Sequence, residues 1–258
     1  AFCRLGMNDA SGQIDHCRND SNPLVAGAAH AYAVRVLGDQ QGLHPLVEQL
    51  RDDNPGRRRA AVIDLGDAGR IEALAALIRC PVSMPLRAKS AFQMATSQAG
   101  AVDPDATDLL KELLQDDPRQ LNLDGIPETA ADPEAIKEGL QHRDEARQYA
   151  AAKALMAMPR AAQLDQIDAL RSSLGSDYGV HYLLASCTGL LELHERSDLV
   201  REALAETAPQ YAKSRIAGAW SCLRLKLRDQ TSLLEEVGRS HPWQPLQWSC
   251  REVALLLS

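Results

Sequence analysis

The chain has 258 residues, 45% of them hydrophobic and only 4% aromatic, and its formal net charge at pH 7 is −7. This acidic charge argues against a protein that binds nucleic acid by neutralising phosphates. The sequence contains no run of eighteen apolar residues and does not begin with a basic and then apolar signal segment, so we expect a soluble, cytoplasmic protein without a membrane-spanning helix.

Alanine and leucine, which have high helix propensity, dominate the apolar content. Stretches of Val, Ile and Tyr that alternate with polar residues, as half-buried strands require, are absent from the sequence. The composition therefore predicts an all-α fold. Residues 1–21 do not follow the pattern described below and are predicted to form an irregular N-terminal segment.

A repeat begins after this segment. Residues 33–38 and 61–66 share an apolar run that ends in Leu-Gly, and the two glycines, Gly38 and Gly66, are 28 residues apart. Each glycine is followed by a short polar turn and a second apolar stretch, which predicts pairs of helices. Glycine suits the left-handed residue that ends a helix, so we expect the first helix of each pair to end at these two positions.

Three helical pairs are predicted in the first half of the chain. Their second helices are predicted over residues 43–50, 71–78 and 106–114. The third pair starts near Arg87, which lies 28 residues after Arg59 in the second pair. Proline is tolerated in the first turn of a helix. Three prolines mark the predicted first helices: Pro23, Pro55 and Pro85.

The stretch 115–133 is rich in Asp, Pro and Asn and departs from the repeat, so it is predicted to be a degenerate unit or a long loop. The pairs then recur with looser spacing. First helices are predicted to start near residues 145, 178 and 213, with partners over 162–174, 199–205 and 231–237 and a final helix over 246–257. Because no single hairpin can bury its apolar face, neighbours must stack. We predict for residues 22–258 an α-solenoid of at least six HEAT-like helical hairpins. A globular α-bundle, the rival fold, would not need this period.

Three motifs resemble those of a known family. The pattern Arg-Arg-Ala-Ala…Leu-Gly over residues 58–66 resembles the short HEAT-like repeat named after phycobilisome lyases. Tyr-Ala-Lys-Ser-Arg at 211–215 and His-Pro-Trp at 241–243 resemble C-terminal features of the E/F-type bilin lyases of cyanobacteria. The resemblance extends, as architecture, over residues 22–258.

The resemblance implies a bilin lyase that attaches phycocyanobilin or phycoerythrobilin to a cysteine of a phycobiliprotein subunit, with isomerisation of the bilin in some members. It implies three partners: the acceptor subunit, the linear tetrapyrrole and, in some relatives, a related lyase subunit. The bilin is the substrate, and the reaction requires no metal and no redox cofactor. The alternative is a non-enzymatic HEAT-repeat scaffold or chaperone that holds a partner protein on its concave face.

The candidate site residues lie in the second half of the chain, where seven of the ten aromatic residues fall. Asp177 and His181, and likewise Tyr178 and Tyr182, are four residues apart and face the same way on a helix. A bilin offers two propionates, pyrrole-type nitrogens and a conjugated face. We therefore predict Asp177 as acceptor of pyrrole N–H groups and His181 as proton carrier, with the carboxylate of Asp177 favouring charged His181. The remaining predicted bilin contacts are Tyr178, Tyr182, Tyr211, Trp220 and, for a propionate, Arg215.

Each of these residues also has a purely structural interpretation. Aromatic residues at helical spacing are often packed in the core, Asp177 is a favoured helix cap, and Arg215 suits an ion pair. A metal enzyme of HEAT type is rejected because its di-iron site needs several His-Glu pairs and only His194-Glu195 is present. A DNA glycosylase lacks support because the sequence has no basic stripe.

The six cysteines include no C-x-x-C pair, so neither a zinc site nor a disulfide framework is indicated. Cys187, Cys222 and Cys250 are separated by 35 and 28 residues, which matches the repeat. They are predicted to be buried free thiols that fill equivalent packing positions in the first helices.

Overall fold

The computed structural model describes residues 2–97 and 100–258, and the chain there is helical. Within these residues there is no β-strand, only an isolated bridge between Thr96 and Val102. The prediction of an all-α protein is confirmed. In the same part of the chain, no helix combines the length and the apolar character needed to cross a membrane.

The helices fall into long and short elements. The α-helices are α1 (Phe2–Leu5), α2 (Gln13–His16), α3 (Pro23–Tyr32), α4 (Leu43–Gln49), α5 (Pro55–Ala68), α6 (Leu74–Ile78), α7 (Met84–Ala95), α8 (Thr107–Gln115), α9 (Pro133–Leu140), α10 (Glu145–Ala157), α11 (Arg160–Leu174), α12 (Tyr178–Leu190), α13 (Ser197–Ala205), α14 (Ala212–Arg224), α15 (Thr231–Ser240) and α16 (Gln244–Leu257). A π-helical turn, Ala33–Leu37, continues α3. The 3-10 turns are Cys17–Asn19, Gln40–Gly42, Ile71–Ala73, Pro104–Ala106, Pro118–Gln120, His194–Arg196, Pro209–Tyr211 and Arg228–Gln230.

The chain divides into two compact units. The first holds the chain up to Leu113 together with Leu121–Gly125, and the second holds Leu114–Gln120 together with Ile126–Ser258. In the first unit, α5 packs between α3 and α7, while α4 packs on α5 and α6 packs on α7. In the second unit, α14 packs between α12 and α16, while α13 packs on α14 and α15 packs on α16. Each unit thus contains a row of first helices with second helices against it.

The buried apolar side chains explain this packing. In the first unit Leu46, Val62 and Leu74 are fully buried, and in the second unit Val200 and Ile216 are fully buried. The predicted second helices agree with the structure to within a few residues, except that residues 71–78 split into a 3-10 turn and α6. The stretch 115–133 contains, between α8 and α9, only the 3-10 turn Pro118–Gln120.

The helix-ending glycines were predicted correctly in one case and wrongly in the other. Gly38 has a φ of 75° and ends its helix, as expected. Gly66 lies inside α5, and Gly69, with a φ of 68°, ends that helix instead. Gly66 serves close packing, since a Cβ on it would lie 2.8 Å from Cβ of Ser90 on α7. The three prolines lie in first helical turns, as predicted.

A recurrent hydrogen bond closes the turn between one hairpin and the next. The fourth residue of five first helices donates from its side chain to a backbone carbonyl near the end of the preceding helix, and we call this residue the closing position. The closing residues and their acceptors are Arg58 with Asp52 and Asp53, Arg87 with Ile78 and Val82, Gln148 with His142, Arg215 with Leu204, and Gln247 with Arg239. Arg87 therefore corresponds to Arg58 and not, as the sequence spacing suggested, to Arg59.

The cysteines confirm the packing prediction. Cys187 lies in α12, Cys222 in α14 and Cys250 in α16, and all three are buried and free. Burial raises the pKa of each of these thiols to about 12. A buried protonated thiol packs as a small apolar group, so these residues belong to the core of the second unit.

Candidate functional site

The first turn of α12 is organised by Asp177. This residue has extended backbone geometry, and its Oδ1 accepts hydrogen bonds from the backbone N–H groups of Gly179 at 2.8 Å and Val180 at 3.0 Å. Aspartate is a favoured helix cap because it satisfies N–H groups that have no partner within the helix. Asp177 therefore fixes where α12 begins. Its Oδ2 accepts no hydrogen bond from the described residues.

The closing position of α12 is occupied by His181, and it departs from the recurrent pattern. Its Nδ1 lies 3.0 Å from Oγ of Ser214 on α14, instead of donating to the end of the preceding helix. Burial lowers the pKa of His181, although Glu202 and Glu206 oppose this shift. The expectation that Asp177 favours charged His181 was wrong, because the carboxylate of Asp177 turns to cap its own helix. The imidazole is biased towards its neutral form.

Three aromatic rings meet beside this histidine. The ring of Tyr211 contacts that of His181 edge-on, with centroids 5.0 Å apart, and contacts that of Tyr178 in the same way at 5.0 Å. Tyr178 is half exposed, at 50%. Together with Ser214 these residues form what we call the histidine cluster: Tyr178, His181, Tyr211 and Ser214. Edge-to-face contacts between rings are a favoured arrangement and hold the three rings in place.

A second cluster lies one residue further along α12. Tyr182 donates a short hydrogen bond to Oδ2 of Asp116, and Tyr149 of α10 donates to the same oxygen at 2.8 Å. We call Asp116, Tyr149 and Tyr182 the tyrosine–aspartate cluster. All three residues are buried, and Asp116 has a φ of 47°. A buried carboxylate is stable only when it is hydrogen bonded, so the two hydroxyl groups hold Asp116 in the interior of the second unit.

Lys213, on the first turn of α14, lies beside this second cluster. Its Nζ is 5.1 Å from the centroid of the Tyr182 ring, a cation–π distance. Burial lowers the pKa of Lys213, while Asp177, Asp116 and Glu145 oppose that shift. The lysine thus places an ammonium between the cap of α12 and the tyrosine–aspartate cluster.

Close packing of α12 against α14 brings these groups together. A Cβ on Gly189 would lie 2.4 Å from Cβ and 2.7 Å from Cα of Ser221, so only glycine fits at this crossing. Oγ of Ser221 also donates to the carbonyl of Ala185 at 2.9 Å. The glycine therefore allows the first turns of both helices to lie within hydrogen-bonding distance of each other.

Two of the predicted site residues are placed elsewhere. Arg215 is buried at the closing position of α14, where its Nε donates to the carbonyl of Leu204 at 3.1 Å. Trp220 is buried, and its Nε1 donates to Oγ of Ser249 at 3.2 Å. Neither hydrogen bond involves the two clusters. The structure brings the other five predicted residues together: Asp177, Tyr178, His181, Tyr182 and Tyr211.

Four residues without a predicted role are added to the site by the structure. Lys213 and Ser214 lie in the Tyr-Ala-Lys-Ser-Arg motif, and Tyr149 is one of the aromatics of the second half. No sequence pattern around Asp116 indicates a role in the site, because this residue lies in the stretch 115–133, which departs from the repeat. Together these groups provide hydrogen-bond acceptors, an ammonium, a neutral imidazole and aromatic edges. No group of three or more His, Cys, Asp or Glu residues in the described chain is arranged to hold a metal ion.

Comparison with known proteins identifies two cyanobacterial relatives. The chain is 27% identical over 222 residues to the "uncharacterized phycocyanin operon protein Y" of Pseudanabaena tenuis, a match that covers 84% of this chain and 53% of the relative. It is 32% identical over 90 residues to the "bilin biosynthesis protein RpcE" of a Synechococcus species, covering 35% of this chain and 34% of the relative. The chain thus matches about half or less of the length of these relatives. The resemblance inferred from the sequence is confirmed by these two proteins. No family model matches the chain.

Proposed function

We propose that the protein is a bilin lyase, which attaches phycocyanobilin or phycoerythrobilin to a cysteine of a phycobiliprotein subunit. The names of the two relatives, which refer to a phycocyanin operon and to bilin biosynthesis, support a role in this pathway. The observation that carries the proposal is His181. This residue occupies a closing position but does not close the turn before its helix, and it lies in a cluster of rings and polar groups.

The repeat contacts support a HEAT-like architecture for each unit. In the second unit, Arg171 of α11 pairs with Asp198 of α13 at 2.5 Å, 27 residues away. Arg201 of α13 pairs with Asp229, just before α15, at 3.1 Å and 28 residues away. Ion pairs that link successive second helices at one repeat length, together with the recurrent closing position, are what stacked helical hairpins would produce.

The reaction adds a thiol across the ethylidene double bond of the tetrapyrrole. The acceptor cysteine loses its proton, its sulfur forms a bond to the ethylidene carbon, and a proton returns to the tetrapyrrole. A neutral imidazole can accept the thiol proton and later donate it, which is the role we assign to His181. Oδ2 of Asp177 supplies an acceptor for pyrrole N–H groups, and a bilin contact of the buried Tyr182 stays a prediction. The rings of Tyr178 and Tyr211 supply walls for the conjugated face. Bilin contacts of Arg215 and Trp220 stay predictions.

Co-expression with the enzymes that make each bilin and with individual phycobiliprotein subunits tests the proposal. We expect one subunit to become covalently coloured, seen as bilin fluorescence that stays with the subunit on a denaturing gel. Parallel cultures without the protein measure spontaneous attachment. If no combination of subunit and bilin exceeds that background, the lyase assignment is wrong. Retention of an uncoloured subunit on the immobilised protein would then favour the scaffold or chaperone.

A further inference from the structure

The amino group of Lys213 has no ion-pair partner among the residues that the structure describes. No carboxylate of the described residues lies within about 4 Å of its Nζ, and its contact is with the ring of Tyr182 at 5.1 Å. We propose that Lys213 is the residue that binds a carboxylate of the ligand. This inference rests on the proposed function, in which that carboxylate is a propionate of the linear tetrapyrrole.

Two of the three acidic side chains near Lys213 already accept hydrogen bonds within the protein. Asp177 uses its Oδ1 to cap α12, and Asp116 accepts hydrogen bonds from two tyrosines. Both act on Lys213 through space, as does Glu145, yet burial still lowers the pKa of the lysine. A half-buried ammonium with no partner is unfavourable. A ligand carboxylate would supply the missing hydrogen-bond acceptor and the missing opposite charge.

Lys213 takes no part in closing the turn before α14. The closing position of α14 belongs to Arg215, which is bound to the carbonyl of Leu204. Lys213 is the second residue of α14, and the second residues of α5 and α7 are Gly56 and Pro85, which carry no charge. The lysine is therefore an addition to a hairpin that the same fold builds elsewhere without one.

The backbone next to the ammonium is free of side-chain bulk. The neighbouring residue on α12 is Gly179, and a Cβ there would lie 3.9 Å from Nζ of Lys213. A longer side chain at this position would compete with a ligand for the space beside the ammonium. Gly179 thus leaves room on the α12 side of Lys213 for a carboxylate group.

Biliverdin and its dimethyl ester form a matched pair of probes, because the ester keeps the tetrapyrrole and removes both carboxylate charges. We expect the parent protein to bind the free acid about tenfold or more tightly than the ester, since hydrogen bonds to charged groups are the stronger ones. Lys213→Met should weaken binding of the free acid by a similar factor and change binding of the ester less than about twofold. Absorbance and fluorescence titrations measure both affinities.

Two further variants control for charge and position. Lys213→Arg keeps the charge and should keep the preference for the acid. Lys153→Met removes an exposed lysine from α10 of the same unit and should change neither affinity. Equal binding of acid and ester by the parent, or an undiminished preference in folded Lys213→Met, would overturn the inference and leave the lyase proposal standing. Failure of the parent to bind either probe would count against the lyase proposal itself. If Lys213→Met does not fold, equal binding of acid and ester by the parent still overturns the inference, and Lys213→Gln replaces the methionine variant in the titrations.

Discussion

The helix pair α5–α7 in the first unit and the pair α12–α14 in the second unit are built alike but carry different side chains. In both pairs a glycine lets one helix approach a serine of the next, Gly66 with Ser90 and Gly189 with Ser221. In the first pair, the closing positions of both helices hold buried arginines bound to backbone carbonyls. In the second pair, α12 has His181 at that position, bound across to Ser214.

The same position of a helix therefore holds a side chain that stabilises packing in one pair and a titratable side chain in the other. A closing arginine or glutamine satisfies carbonyls that a helix end leaves without partners. Where histidine replaces it in α12, the side chain does not close the preceding turn and instead contacts Ser214 of α14. Lys213 on α14 likewise takes no part in the closing hydrogen bond, which Arg215 makes. The second unit thus retains the backbone arrangement of the first and gains a group of titratable side chains in the first turns of two helices.

Removal of closing arginines should give the largest effect on stability. Arg87 is fully buried and donates to two carbonyls, whereas Arg215 donates to one. Because buried acceptors lose their donors, we expect Arg87→Met to lower the free energy of unfolding by about 3 kcal/mol and Arg215→Met by about 1–2 kcal/mol. Urea denaturation followed by circular dichroism measures both values.

The same Arg215→Met variant tests the predicted propionate contact. If closing the turn between α13 and α14 is the whole role of Arg215, the folded variant transfers bilin at the parent rate. A selective loss of bilin affinity in folded protein would instead support the contact predicted from the sequence. Arg57→Met, which removes an exposed arginine next to a closing position, is the matched control and should leave stability within about 0.5 kcal/mol of the parent.

Replacement of His181 should change the rate of bilin transfer more than the stability of the fold. Glutamine occupies the closing positions of α10 and α16, so His181→Gln introduces a residue that the repeat accepts. We expect unfolding free energy close to that of the parent and bilin transfer about 10²-fold slower, since a general acid–base group is lost. The measurements are denaturation and the rate of covalent colour formation. His194→Gln, at an exposed histidine, should transfer normally. Parent-like transfer by folded His181→Gln would remove His181 from the mechanism.

The sequence predicts the helices better than the contacts between them. Apolar periodicity locates most first and second helices because each segment must bury one face. Periodicity does not show which of Gly66 and Gly69 ends α5, because it carries no information on backbone φ, which is positive only at Gly69. The four-residue spacing predicted Asp177 and His181 on one face of a helix. In the structure, the Asp177 carboxylate instead accepts hydrogen bonds from backbone N–H groups in the first turn of α12. Asp116 accepts hydrogen bonds from tyrosines 33 and 66 residues away. Local sequence patterns do not predict contacts between residues so far apart in the chain.

Each unit also contains a buried carboxyl group, and the two groups differ in their hydrogen bonds. Asp116 in the second unit accepts two tyrosine hydroxyls, whereas Asp64 on α5 accepts no hydrogen bond from the described residues and lies against Gly27 of α3. Burial, aided by the nearby charge of Asp67, raises the pKa of Asp64 from 3.8 to about 7. The folded state therefore binds the proton of Asp64 more tightly than the unfolded state does. The stability that this proton provides is fully present below about pH 4 and is lost as the pH rises to about 7.

Asp64→Asn should remove this dependence, because the amide has a similar volume and no charge to desolvate. We expect the variant to match the parent near pH 4 and to be more stable by about 1–3 kcal/mol at pH 8. Denaturation at a series of pH values gives the difference between the two proteins. Asp124→Asn, at an exposed carboxylate of the same unit, should show no such trend. A difference between Asp64→Asn and the parent that stays constant from pH 4 to pH 8 would mean that Asp64 keeps an ordinary pKa. The contrast between an unpartnered carboxyl in the first unit and a partnered one in the second would then lose its energetic basis.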